Sequence, residues 1–452
     1  MKKVIAIILS ALTLLLASCT SFNVIENAPY TDTIIINDTT KAPETEKTVK
    51  QPVEKYTGKT GDYSGAKFMS IADTSATAKS VFGGAYYTYK EQYRTAAEKL
   101  SAFFDKLTQK LIDGKENAVV SPVNIYMALS LLAECTDGSS RQQILDVIGV
   151  DSIEELREQS KILWLYNSRD DEYGRSLLAN SIWLSSGLPV KDNCVNTLKN
   201  EHYASSFTGD FRDEKYISAL KQWLSDQTKG LLDDCINELD IPVETRAALA
   251  STLYYKTRWN NEYRETENGV FKGAEREQRC VFNKKTAENV IYKGNGFTAY
   301  CERLSDGNEM WFFLPDGDKT VSDVIKEDLV SFTGSNVRGY TYDVTVRMPD
   351  FDVGYNKQIR DQIKELGIVD CMGDNSDFSP LTDDNLYVSS IVHAARFKAD
   401  KEGVEGAAYT VMYLSGGMPV EHSKYDFTLD RPFAFMVINN GVPLFTGVVN
   451  EV

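Results

Sequence analysis

The side chains here that could do chemistry are few, and they are poorly placed for catalysis. There are three histidines, His202, His393 and His422. No Gly-x-Ser-x-Gly elbow accompanies them, and no Asp/His/Ser order of a hydrolytic triad is evident. No catalytic residue is therefore assigned, and His393 reads as a buried, hydrogen-bonded structural histidine. The doublets Asp233-Asp234 and Asp383-Asp384 lack a third or fourth oxygen ligand at a recognisable spacing, so they read as solvated loops and no metal is expected. Six cysteines, Cys135, Cys194, Cys235, Cys280, Cys301 and Cys371, are scattered, with no CxxC and no zinc spacing. They read as small buried hydrophobes rather than a disulfide framework. No cofactor is expected.

What the residues do offer is a run of small side chains, compatible with a plain turn at 406–408 or with a segment that enters a sheet. In Asp400-Lys401-Glu402-Gly403-Val404-Glu405-Gly406-Ala407-Ala408-Tyr409-Thr410, the small residues Gly403, Gly406, Ala407 and Ala408 let a chain thread between existing strands. With the two-residue period of a strand, Val404, Gly406, Ala408, Thr410, Met412 and Leu414 share an uncharged face. Glu405, Ala407, Tyr409, Val411, Tyr413 and Ser415 share the other, where bulk and charge are tolerable. Burying Val404, Met412 and Leu414 contributes roughly 1.5–3 kcal/mol each. Each ladder hydrogen bond adds about 0.5–1.5 kcal/mol net, and ordering costs about 1–2 kcal/mol per residue. These terms nearly cancel, so insertion needs a strained starting state. Val404 is expected to be the first side chain to enter.

Such a segment requires a sheet to enter and helices to back it. Ala97, Leu100, Phe103, Phe104, Leu107 and Leu111 recur at helical spacing from near Tyr93, with Gly114 beyond. Ser121-Pro122 opens a second helical pattern through Ile125, Ala128, Leu129 and Leu132, proline being tolerated in a first turn. Strand-like runs follow at 177–183, 248–255, 310–314, 341–348 and 433–438. Helices and strands mix without a βαβ rhythm, which predicts an α+β fold with an antiparallel or mixed sheet.

The 452 residues carry a formal charge of −16, which argues against nucleic acid and anionic membrane surfaces as partners. At the N-terminus, Lys2 and Lys3 precede an apolar run too short to span a bilayer comfortably, and Leu16-Ala17-Ser18-Cys19 follows. This resembles a bacterial lipobox, so residues 1–18 are read as a lipoprotein signal and Cys19 as the lipid attachment site. The implied location is extracellular, anchored to the bacterial cell membrane by lipid, or secreted. Residues 19–90 are polar and lack sustained periodicity, and are expected to be a flexible tether. Residues 91–452 are the folded domain.

Within that domain a series of motifs resembles the serpin family. They include Asn117-Ala118-Val119-Val120-Ser121-Pro122, Asn180-Ser181-Ile182-Trp183, Trp223 with Thr228-Lys229-Gly230, and Tyr254-Tyr255-Lys256-Thr257-Arg258-Trp259. Next come Met348-Pro349-Asp350-Phe351, Leu366-Gly367-Ile368, Asp377-Phe378-Ser379, Leu386-Tyr387-Val388-Ser389 leading to His393, Arg431-Pro432-Phe433, and the run from Pro443 to Asn450. Each is weak alone, but their order and spacing are similar to the family's from about Tyr93 to Val452. Departures are Ser251 for the family's Asn, Thr257 for Gly and Ala394 for Lys.

The resemblance implies the serpin fold, with a large central sheet, surrounding helices and an exposed reactive-centre loop. It makes Gly403, Val404, Glu405, Gly406, Ala407, Ala408, Tyr409 and Thr410 a hinge, and Ser121, Asn124 and His393 a shutter behind the sheet. It also implies a non-enzymatic suicide inhibitor, monomeric, whose partner is a serine protease held covalently. Gly417-Met418 is taken as the reactive bond, because Pro419 makes Met418-Pro419 a poor substrate. These residues suit elastase-like or subtilisin-like targets. Val404 and Lys401 depart from the family's hinge residues and keep open a non-inhibitory serpin acting as a binding or chaperone-like surface protein.

Overall fold

The structure is a computed structural model that describes residues 63–334, 338–405 and 422–452. Its central sheet has eight strands. Seven of them are β1 (Lys67–Ser70), β2 (Gly174–Ser185), β3 (Ala204–Gly209), β4 (Ala247–Arg258), β5 (Phe351–Gln358), β6 (Val392–Ala399) and β7 (Gly403–Val404). They lie in the order β1-β3-β2-β4-β7-β6-β5, and the short strand Arg169–Asp170 pairs β2. Only β2 and β3 run parallel, so the sheet is mixed, as the α+β reading expects. A second, nine-stranded sheet is built from Ala118–Val120 and strands between Glu265 and Val449.

Alternation along β2 shows how the central sheet is clad. Leu178, Ile182 and Leu184 belong to the main core, whereas Ala179 and Trp183 point to the opposite face. The described helices that matter here are α1 (Tyr86–Leu111), α2 (Pro122–Cys135), α3 (Ile153–Asn167), α4 (Asp192–His202) and α5 (Glu214–Thr228). On the outer face Trp183 stacks on Phe207 at 4.1 Å, and Tyr216 and Trp223 of α5 close over them. On the inner face lies α2. It starts after Ser121, whose side chain makes no capping bond, carries Pro122 in its first turn, and every residue is buried except half-buried Ala128. An all-round apolar helix is stable only when surrounded by protein, and α2 forms the floor beneath the sheet.

The tether boundary is corrected by β1. Residues 63–90, expected to be part of the flexible segment, are folded onto the domain. Strand β1 pairs antiparallel with β3, Phe68 lies against Phe207 at 5.0 Å, and the Tyr63 hydroxyl donates to Asp226 at 2.8 Å. Helix α1 begins at Tyr86 rather than near Tyr93. A four-residue edge strand has no periodic signature of its own, and its order comes from a partner distant in sequence.

Candidate functional site: the hinge and the groove beside it

The hinge begins as a tight turn. Asp400 Oδ1 accepts the backbone N–H groups of Glu402 and Gly403, and the Asp400 N–H donates to the Gly403 carbonyl. The Trp259 indole N–H donates to the Asp400 carbonyl at 2.7 Å and fixes the turn to the end of β4. Beyond it, Gly403 and Val404 form β7, with Gly403 opposite Arg258, Val404 opposite Thr257, and Ala399 of β6 on the other side. A Cβ on Gly403 would stand 2.4 Å from the Thr257 carbonyl oxygen, so only glycine allows this approach. Val404 is in the main core, 1% exposed. The expectation that Val404 is the first side chain to enter on insertion is therefore corrected: it is already seated.

The strand stops there. Glu405 has φ 46°, left-handed backbone that costs a non-glycine residue about 1–2 kcal/mol. Its carboxylate accepts the Tyr254 hydroxyl at 3.2 Å. Further along, among the described residues, no strand joins the rest of β4 to the rest of β6. Between them lies a groove of ≈ 670 Å³, walled by Leu249, Ser251 and Leu253 on one side and His393 and Ala395 on the other, with Leu129 of α2 in its floor.

The N-terminus of α2 holds both walls. His393 Nε2 accepts the Ser121 backbone N–H at 3.1 Å, and the Asn124 amide donates to Ser251 Oγ at 3.1 Å. Burial pushes the His393 imidazole down to about 4, so it is neutral at pH 7 and free to accept. The structure thus brings Ser121, Asn124 and His393 together. It adds Ser251, whose hydroxyl takes the contact from Asn124. Trp259 and Tyr254 also went unrecognised as hinge partners, although both lie in the Tyr254-to-Trp259 motif. Cys19, Gly406, Ala407, Ala408, Tyr409, Thr410, Gly417 and Met418 lie outside the described residues.

One arrangement resembles a catalytic triad that the sequence order did not reveal. His202 Nδ1 meets Ser160 Oγ at 3.1 Å, and Nε2 meets Glu134 Oε1 at 3.1 Å. Ser160 is 1% exposed, and its hydroxyl donates to the Met127 sulfur. A nucleophile needs access to substrate, so these residues act as a brace between α2, α3 and α4. Arg157 completes it with two hydrogen bonds to Glu134. Burial raises the Glu134 carboxyl, but hydrogen bonds from His202 and Arg157 outweigh it and hold the group below its ordinary value. The acidic doublets face cations: Asp383 pairs Lys191, Asp384 pairs Arg246, and Asp234 lies 4.0 Å from Arg396. His422 lies beside Glu288 at 3.4 Å.

Residues 98–452 match the family model described as serpin (serine protease inhibitor). The chain belongs to the serpin family. Serpin-ZX of Arabidopsis thaliana is 26% identical over 363 residues, covering 75% of this chain and 93% of the relative. A serpin-like protein of Methanosarcina acetivorans is 25% identical over 367 residues, covering 77% and 85%. Among solved structures, the native state of the thermophilic serpin tengpin aligns with a TM-score of 0.70 at 23% identity, over 79% of this chain and 94% of that one. The native stressed conformation of Arabidopsis AtSerpin1 aligns at 0.68 and 22%, over 79% and 98%. At these identities the structures speak for the fold, and the serpin fold is the one this chain adopts. Serpins are in general protease inhibitors rather than catalysts, and their partners are proteases.

Proposed function

We propose that this serpin is a suicide inhibitor of serine endopeptidases, working by insertion of its cleaved loop between β4 and β6. The observation that carries the reading is the seated Val404 at the head of a groove flanked by two strand edges. Each step forward in the loop is one step back along β4. On the register of Val404 with Thr257, Thr410 comes opposite Ser251 and Leu414 opposite Ala247, the first residue of β4. On the register of Val404 with Ala399, Thr410 comes opposite His393. The uncharged face of the loop thus ends where the wall ends.

The chemistry is that of an interrupted acyl transfer. The protease serine attacks the Gly417 carbonyl, the amine of Met418 leaves, and an ester joins the enzyme to the new carboxyl terminus. Hydrolysis of that ester would release the enzyme, so inhibition requires insertion to be faster. Moving Glu405 from left-handed to extended backbone removes its strain and favours propagation. Gly417 and Met418 suit elastase-like or subtilisin-like pockets. The serpin acts as a monomer, held at the bacterial surface by lipid on Cys19.

Incubation with a panel of serine proteases tests the reading. An SDS-stable complex with at least one of them is expected. Cleavage of the loop by every protease with no complex would instead identify a non-inhibitory binding or chaperone-like serpin. Mass spectrometry of membrane-extracted protein tests the anchor, and an unmodified Cys19 would reject it.

A further inference from the structure

Two buried thiols meet beneath the groove. Cys135 is the last residue of α2 and Cys194 lies in the first turn of α4. Both are free, and they are 1% and 4% exposed. The Cys194 thiol lies 3.7 Å from the carbonyl oxygen of Glu134, the residue before Cys135. Cys194 is also the largest single influence that pushes the Cys135 thiol up, as expected of side chains that are close neighbours. Cys135 lines the groove, and α4 leads after one residue into β3 of the central sheet.

We propose that Cys135 and Cys194 close to a disulfide under oxidising conditions, stapling the floor helix α2 to α4. The oxidant is a disulfide, either a small-molecule one such as oxidised glutathione or that of a thiol oxidoreductase. One cysteine loses its proton and attacks a sulfur of the oxidant, releasing one thiol. The second cysteine then displaces the other half, releasing a second thiol. The two cysteines lose two electrons and two protons, which the two released thiols carry. The thiol contact, burial and nearby charge raise the Cys135 thiol well above its usual value. Thiolate is therefore scarce in the closed protein, and closure occurs as the chain folds or opens locally. The bridge spans 59 residues (194 minus 135), and cross-links over long loops restrict the unfolded chain strongly. None of this depends on whether the serpin traps proteases.

The test uses the full chain, refolded and equilibrated in graded mixtures of reduced and oxidised glutathione. It is then denatured, alkylated and peptide-mapped. Cys135 and Cys194 should lose alkylation together and yield one cross-linked peptide lighter by two hydrogens, while Cys235, Cys280, Cys301 and Cys371 stay alkylated. The oxidised form should unfold roughly 3–5 °C above the reduced form, a difference that disappears in Cys194→Ser. Full alkylation of both residues at the most oxidising ratio, glutathione adducts without a cross-link, or equal midpoints for the two forms would each overturn the proposal.

Discussion

Acidification should loosen the shutter through one imidazole. His393 is held at about 4 by burial, against 6.5 for an unperturbed histidine. The unfolded chain therefore binds a proton that the folded chain refuses. The stability carried by the neutral ring is complete above pH 6.5 and is lost as pH falls toward 4. Charging the ring in the folded protein costs about 3 kcal/mol in full, and pH 5 alone costs about 2 kcal/mol. The structural cause is specific. His393 Nε2 accepts the Ser121 N–H, and a proton on that nitrogen turns acceptor into donor and sets two donors against each other. Denaturant melts at pH 7.5, 6 and 5 on the parent and on His393→Gln measure this. The glutamine oxygen can accept from Ser121 without titrating. The parent should lose about 2 kcal/mol more than the variant by pH 5. Parallel pH profiles would refute the account, because every other titrating group is common to both proteins.

Three further outcomes follow from the site. Thr410→Arg places a charge opposite Ser251 and His393 only when the loop inserts, so the serpin should be cleaved at a normal rate while its SDS-stable complex is lost. Glu405→Gln, on the outward face, should still trap, and undiminished trapping by Thr410→Arg would contradict the register. Nicking the loop should raise the thermal midpoint well above that of the intact protein, and equal midpoints in calorimetry would argue against a strained starting state. Lys285→Met strands Glu302, 2% exposed and paired with Lys285 at 2.7 Å, and should destabilise by about 3–5 kcal/mol in equilibrium melts; a loss under 1 kcal/mol would mean that the pair is solvated.

What was legible in the sequence was whatever repeats at short range. The helix after Ser121-Pro122 stands where its proline and apolar spacing put it. Features made by distant partners were not legible. Strand β1 is ordered by β3, and its four residues carry no period. The Ser160, His202 and Glu134 brace joins three helices, so no linear motif announces it. Ser251 registered only as a departure from a family asparagine, yet its hydroxyl receives the Asn124 amide. The left-handed turn at Glu405 gave no warning, because glycine or asparagine is the usual marker of such a position.

The two residues of β7 have a kinetic consequence. A strand that must enter a sheet from solution first closes a loop, an entropy loss that precedes any favourable contact. Here the Asp400 turn has closed that loop in the intact protein, and Val404 is the first engaged tooth of a zipper. On the proposed insertion each later residue would add to an existing ladder, and no separate nucleation event would limit the rate. The remaining impediment at the start is local, the backbone flip at Glu405 and release of the Tyr254 hydroxyl. A rate governed by one residue's dihedral can be tuned by substitution at that residue without altering the loop sequence that a protease reads.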